Sequence, residues 1–297
     1  MGTDPVERPG IVIVFFRPDS GCIARANRLA AIYSCVVVDN TETRQSPAEL
    51  GLDARIEYMA NGANLGIATA LNQGVERLIQ TGCTCALLFD QDSEPSDHLL
   101  SALPSTLTRA RANDPRVALI GPAYEDKRLH GVAPFVRFGY FRLKRVAPAG
   151  TEPIPVDFLI TSGSCVNLAV WGAIGGMDDS LFIDFVDLEW CVRAAAKGYR
   201  ILGAPALRLA HELGGEPVRV FGRNYPSHGP LRHYYAFRNI VALFRRGYVP
   251  LSWKSTEVPK LPARLVIYTL FMRPRLSHLG MSLLGIWHGL IGRSGAL

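Results

Sequence analysis

Ala86-Leu87-Leu88-Phe89-Asp90-Gln91-Asp92-Ser93 is an apolar run that ends in two carboxylates one residue apart. Continuous apolar character from Leu87 to Phe89 suits a strand buried on both faces, as in parallel sheets, whose carboxyl ends are where ligands bind. Asp90 and Asp92 stand at that end. Two hard oxygen donors suit Mg²⁺ or Mn²⁺, ions commonly held by one or two carboxylates together with substrate phosphates, so the implied ligand is a diphosphate. The same residues, followed by Pro95, also read as a plain polar turn, and the rest of the chain must separate the two readings.

Upstream, Ile11-Val12-Ile13-Val14-Phe15-Phe16 is a first buried strand, and apolar Ile23, Ala26, Leu29, Ala30 and Ile32 after it mark a helix. Cys35 to Val38 form a second strand ending in Asp39-Asn40-Thr41. A carboxylate there reaches a base or ribose in some folds, although Asp-Asn-Thr is equally an ordinary turn, the reading these residues alone favour. Ile56 to Met59 make a short strand leading into Asn61-Gly62-Ala63-Asn64-Leu65-Gly66 and a helix with Ala68, Leu71, Val75, Leu78 and Ile79 on one face. Backbone N–H groups of such a glycine-rich turn suit phosphate or sugar hydroxyls, but neither GxGxxG nor Walker spacing is present. Strands alternating with helices over the first hundred residues argue for a doubly wound α/β domain.

Downstream, a helix spans His98 to Ala112 and a strand Val117 to Pro122. Arg137, Arg142, Lys144 and Arg145 lie among Phe135, Phe138, Tyr140 and Phe141, which reads as an amphipathic hairpin or a flap over an anionic partner. Val156 to Ile160 resume strand character before Thr161-Ser162-Gly163-Ser164, whose small polar residues let a sugar or acceptor approach the backbone. In Asp184-Phe185-Val186-Asp187-Leu188-Glu189-Trp190, Asp184 is expected to cap a helix and Asp187 to sit in its first turn, ionised as a general base must be. The plainer reading treats Asp187 and Glu189 as first-turn acids and Arg193 as the i+4 partner of Glu189.

The totals bound these readings. The 297 residues are 48% apolar, enough for a large core, and the net charge of +6 is modest. Six cysteines lack metal-site spacing, so buried free thiols are expected. Met1 to Pro9 carry neither the basic start nor the apolar core of a signal peptide, so a cytoplasmic protein is expected. From Arg245 onward eight Lys or Arg residues face one acid, Glu257, interleaved with apolar blocks too short or too interrupted to span a bilayer. That pattern suits a helix lying on the cytoplasmic face of an anionic inner membrane, or a dimerising or core-covering helical pair; no nucleic-acid motif accompanies it.

Together these segments resemble inverting family-2 glycosyltransferases of the GT-A fold and, within them, bacterial rhamnosyltransferases of polysaccharide assembly. Val38-Asp39-Asn40, Asn64-Leu65-Gly66, Phe89-Asp90-Gln91-Asp92-Ser93, Ser162-Gly163, the Asp184 to Trp190 stretch and Tyr234-Tyr235-Ala236-Phe237-Arg238-Asn239 follow that family's order over roughly residues 10 to 245. The resemblance implies an α/β fold with a Rossmann-like, mostly parallel sheet over 1–245 and a basic amphipathic helical region over 246–297. It implies that Asp39 meets the nucleotide base, that Asp90 and Asp92 hold the divalent ion on a sugar-nucleotide diphosphate, and that Asp187 is the base. The family's usual Glu-Asp pair is Val186-Asp187 here. His211 resembles a histidine that reaches the metal or diphosphate, and Asn64, Gly66, Ser162, Gly163 and Arg238 fall to the donor site, Arg238 equally to a packed helix. The implied donor is dTDP-L-rhamnose and the implied acceptor a glycan or lipid-linked sugar. Another UDP- or dTDP-sugar donor, and a non-catalytic nucleotide-sugar-binding subunit, are the alternatives; the intact trio Asp90, Asp92 and Asp187 argues against the second.

Overall fold

The computed structural model describes residues 7–126, 131–210, 218–220, 222–225 and 228–297. In chain order it runs β1 (Pro9–Phe15), α1 (Ser20–Ala30), β2 (Ser34–Asp39), α2 (Pro47–Leu50), β3 (Ile56–Ala60), α3 (Ile67–Gln80), β4 (Cys85–Asp90) and α4 (Asp97–Asn113). Then come β5 (Val117–Asp126), β6 (Gly131–Val132), β7 (Phe135–Phe138), β8 (Leu143–Val146), β9 (Ile154–Val156), β10 (Ser164–Asn167), α5 (Leu168–Ile174), α6 (Val186–Ala196) and β11 (Arg200–Ala210). The last part is β12 (Val218–Val220), β13 (Arg223–Tyr225), α7 (Pro230–Phe244), α8 (Leu251–Glu257), α9 (Lys260–Phe271) and α10 (Arg275–Ile291).

The central sheet has the order β3-β2-β1-β4-β10-β5-β11-β9, with β6 on β5. β3, β2, β1 and β4 are mutually parallel, as the apolar runs and βα alternation require. β10 enters antiparallel between β4 and β5, because the chain reaches it from the hairpin side rather than through a helical crossover. β7 and β8 form the hairpin expected around Tyr140.

Both faces of the sheet are buried, and the pleat sorts the strands between them. Val12, Val14, Val36, Val38, Ala86 and Leu88 point to the face covered by α3, α5 and α6; Ile11, Ile13, Phe15, Val37, Leu87 and Phe89 point to the face of α1 and α4. The same alternation puts the next residue, Asp90, on the side of Ala86 and Leu88, where Val186 and Trp190 of α6 pack.

The helical region at 246–297 is not a separate body. α10 lies along α7, and Gly289 permits the approach: a Cβ there would stand 2.8 Å from the Arg238 carbonyl and 2.7 Å from Val241 Cβ. Among the described residues no helix is long and apolar enough to cross a membrane. All six cysteines are free, and five are buried, as expected.

Candidate active site

The two ends of the Asp-Gln-Asp turn are held by its middle residue. Gln91 accepts from Phe16 N (2.8 Å) and donates to Phe16 O (3.2 Å), tying the end of β4 to the end of β1, while Arg25 Nε bonds the Gln91 carbonyl (3.0 Å). Ser162 closes the other side. Its hydroxyl lies 2.6 Å from Ser93 Oγ and accepts weakly from Asp90 N, and Gly163 N donates to Leu88 O. Ser162 and Gly163 therefore shape the strand end by direct hydrogen bonds. Asp92 is exposed and Asp90 half-buried. Among the described residues no group of three or more His, Cys, Asp and Glu side chains surrounds a common point. Two carboxylates one residue apart at a strand end are the hard oxygen donors that suit an ion completed by a ligand's phosphates and water. His211 lies outside the described residues.

Asp39 is buried at the end of β2, where Oδ1 accepts from Thr41 N and Oδ2 from Tyr58 OH, both at 2.8 Å. Asn40 donates to the Gly66 carbonyl and accepts from Asn61, so the end of β2 is joined to the turn before α3. Asn64 Oδ1 accepts from Gly66 N. Gly66 has φ +86°, and a Cβ on it would sit 2.6 Å from the Phe182 carbonyl. That carbonyl accepts from Ile67 N, the first amide of α3, so this amide is bound to protein rather than open to phosphate.

Asp187 is carried by an unusual turn. Phe182, Asp184 and Phe185 all have positive φ (65°, 63° and 64°), a conformation that costs about 1–3 kcal/mol per residue and persists only where the surroundings impose it. α7 imposes it. Asn239 Nδ2 donates to the carbonyls of Leu181, Ile183 and Asp184 at 2.7–3.0 Å, and Arg238 donates to those of Ser180, Leu181 and Gly295. Phe182 stacks on Tyr235 at 4.7 Å. Two expectations change here. Asp184 does not cap α6, because the left-handed turn places Phe185 at that position and turns Asp184 to Arg232 at 3.0 Å. Arg238 is fully buried, with Nε on Asn239 Oδ1 and its other donors on backbone carbonyls, so it clamps the turn instead of meeting a diphosphate.

Burial pushes the Asp187 carboxyl up to about 7, against the pull of the Leu188 amide, with the charges of Asp184 and Asp90 adding to the rise. The expected fully ionised acid is thus a group poised at neutral pH, the range in which a general base works well. Tyr124, half-buried at the end of β5, has its hydroxyl held well above the usual range by burial and then by the charges of Asp187, Cys191 and Asp90. It stays a neutral donor, bonded to the carbonyls of Ile160 (3.1 Å) and Ser162 (3.0 Å). Behind the base, buried Glu189 receives Arg193 as expected, and also Tyr248 (2.5 Å) and Arg246 (3.2 Å). No spacing rule could have found Tyr124, Gln91 or Tyr248, since their partners lie 38, 75 and 59 residues away.

Asp187 opens into a cavity of about 870 Å³ bounded by α6, α7, α9 and the β7–β8 hairpin. His233 of α7 is buried in its wall, stacked on Tyr268 at 3.9 Å and 2.9 Å from His278 Nδ1 through its own Nδ1. His278 Nε2 faces the Arg273 carbonyl, which can only accept. Burial, followed by the charge of His278, pushes His233 down to about 4, keeping it neutral. Its Nε2 has no partner among the described residues.

No family model matches the sequence. The chain is 31% identical over 225 residues to the dTDP-rhamnosyl transferase RfbF of Shigella flexneri, covering 75% of this chain and 74% of that protein. It is 21% identical over 292 residues to the low-salt glycan biosynthesis hexosyltransferase Agl10 of Haloferax volcanii, covering 96% and 92%. Among solved structures, GalNAc-T7 with UDP, GalNAc and Mn²⁺ superposes with a TM-score of 0.56 at 14% identity, over 97% of this chain and 57% of that one. S. aureus TarS 1-349 gives 0.55 at 13% identity, over 94% and 81%.

Proposed function

The chain belongs to the rhamnosyltransferase-like family-2 glycosyltransferases of the GT-A fold, and from that premise we propose that it moves L-rhamnose from dTDP-L-rhamnose to a hydroxyl of a lipid-linked or polysaccharide acceptor, inverting the anomeric carbon. The carrying observation is Asp187: a carboxyl near pH 7 in pKa, opening to a cavity and close enough to Asp90 to feel its charge. The donor sugar rests on the named activity of the Shigella relative.

In this reading the donor diphosphate lies over the carboxyl end of β4, where Asp90 and Asp92 would hold Mg²⁺ or Mn²⁺, and Asp39 would meet the base from β2. A bound divalent ion would stabilise the charge gathering on the departing diphosphate. Asp187 Oδ1 is fixed by the Leu188 amide at 2.8 Å, so the acceptor proton goes to Oδ2. The acceptor oxygen bonds to the anomeric carbon from the opposite face, the carbon–oxygen bond to the diphosphate breaks, and its electron pair leaves with dTDP. Asn64, Gly66, Ser162 and Gly163 set the shape of the donor site through the bonds described above.

The apolar outer face of α10, with Leu276, Leu283, Trp287, Leu290 and Ile291 exposed beside Arg273, Arg275 and Arg293, supports seating on the cytoplasmic face of the inner membrane. A homodimer through the same face is the second use of that surface. Another UDP- or dTDP-sugar is the alternative donor.

Calorimetric titration with dTDP, UDP and GDP, each with and without Mn²⁺, tests the donor assignment. Tighter, Mn²⁺-dependent binding of dTDP is expected; UDP binding above dTDP would replace the donor, and binding indifferent to Mn²⁺ would remove the ion from Asp90 and Asp92.

A further inference from the structure

The turn that carries Asp90 and Asp92 is closed by Ser93 N on the Asp90 carbonyl (3.1 Å), with Gln91 and Asp92 as its central residues. Asp90 is the last residue of β4 and lies opposite Val14 of β1, so the turn stands beyond the paired positions and the sheet alone does not fix its tilt. One side is fixed by two buried hydroxyls, Ser93 on Ser162 at 2.6 Å. The other side is fixed by Gln91, whose carboxamide takes both the N–H and the carbonyl of Phe16 while Arg25 takes its main-chain oxygen. Phe16 is a firm anchor. Next to it Asn40 N donates to the Phe15 carbonyl (2.9 Å), Arg17 N donates to Thr41 Oγ1 (2.7 Å), and the Arg17 guanidinium donates to both Glu42 oxygens, with Arg17 at φ +50°. Both Gln91–Phe16 bonds lie at the surface, where water replaces a lost partner at little cost to the fold. What they add is the tilt of the turn, and with it the aim of the carboxylates on either side of Gln91.

We propose that Gln91 is a positioning residue for the divalent ion: it hooks the turn to β1 so that Asp90 and Asp92 meet one ion together, and it sets the affinity for the ion rather than for the nucleotide. The inference rests on Asp90 and Asp92 as the ligands of that ion. Groups that orient metal ligands without touching the metal change its affinity by about 10–100-fold when removed. Gln91 stands in that relation to both carboxylates at once, through the backbone it shares with them.

Gln91→Met keeps the length of the side chain and removes the carboxamide. Binding of dTDP is measured calorimetrically in EDTA and over a series of Mn²⁺ concentrations, with Asp92→Asn alongside. The Mn²⁺ concentration giving half of the gain in dTDP affinity is expected to rise at least about tenfold in Gln91→Met, while dTDP affinity in EDTA stays within about twofold of the parent. Arg25→Met, which releases only the main-chain oxygen of Gln91, gives a smaller rise and serves if Gln91→Met does not fold. A Mn²⁺ midpoint equal to the parent's in both variants overturns the inference. An equal loss in EDTA and in Mn²⁺ overturns it too, since Gln91 then supports the nucleotide and not the ion. A parent without a Mn²⁺ response, or an Asp92→Asn variant that keeps it, removes the ion from this turn and the inference with it. Loss of the response in Asp92→Asn beside an unshifted midpoint in Gln91→Met leaves the ion in place and breaks the positioning role alone.

Discussion

The α/β half and the helical half of this protein treat polar groups in opposite ways. In the sheet, strand interiors are apolar, and the carboxylates Asp39, Asp90 and Asp92 stand at or just beyond strand ends. In α10 the order is reversed, and α7 buries polar groups among its apolar ones. The buried side of α10 is His278, Ser282, Gly285, His288 and Gly289, while Leu276 is 82% exposed and Trp287 58%. α7 buries Arg238, Asn239 and His233. The difference teaches that polarity has two places here: under the proposed function the strand-end acids serve the ligand, and in α7 buried polar groups hold the strained turn that carries Asp187.

If that division is right, removing a strand-end or helix-start acid costs chemistry and leaves the fold, while removing a clamp residue costs the fold as well. Asp187→Asn is the sharpest case, expected to lower dTDP release from dTDP-rhamnose with acceptor by about 10²–10⁴-fold. Its melting temperature should be unchanged or higher, since the variant no longer buries a group that resists ionisation; unaltered turnover would remove Asp187 as the base. The pH profile comes next. With the Asp187 carboxyl raised to about 7, the active, deprotonated form is lost as pH falls, so turnover should drop about tenfold per unit below 7 and level off above it. A flat profile from pH 5 to 9 would break the assignment.

Asn239→Ala tests the other half, since it strips one donor from three buried carbonyls of the strained turn. We expect a loss of about 2–3 kcal/mol in urea unfolding together with weaker turnover, while dTDP binding persists. Gly289→Leu should unseat α10 from α7 at about 1–3 kcal/mol, because the new side chain meets the Arg238 carbonyl and Val241. Smallest in stability is Leu283→Ser/Trp287→Ser, within about 0.5 kcal/mol of the parent in unfolding. That double variant should nonetheless lose about tenfold in binding to anionic vesicles in a sedimentation assay; equal vesicle binding would turn the outer face of α10 over to a partner subunit.

How far the sequence reaches differs between the two halves for a physical reason. Apolar runs and βα alternation are local and periodic, so β1, β2, β4, their parallel pairing and the strand-end acids were legible, and so was the Glu189–Arg193 pair one helical turn apart. The tail read correctly as amphipathic, but amphipathicity does not say which stripe turns inward. Only the polar groups of α7 waiting there decided it, through Tyr234 OH with His288 (2.8 Å) and His233 with His278 (2.9 Å).

The sequence by itself thus determined the strands, the order of the acids along them and the chemistry those acids can do. Tertiary structure alone decided that Asp184 pairs with Arg232 instead of capping α6, that Arg238 holds a turn instead of a diphosphate, and that Asp187 sits near neutrality. Each of those outcomes depends on partners dozens of residues away meeting in a low-dielectric interior, where desolvation and the few available hydrogen bonds set both conformation and charge.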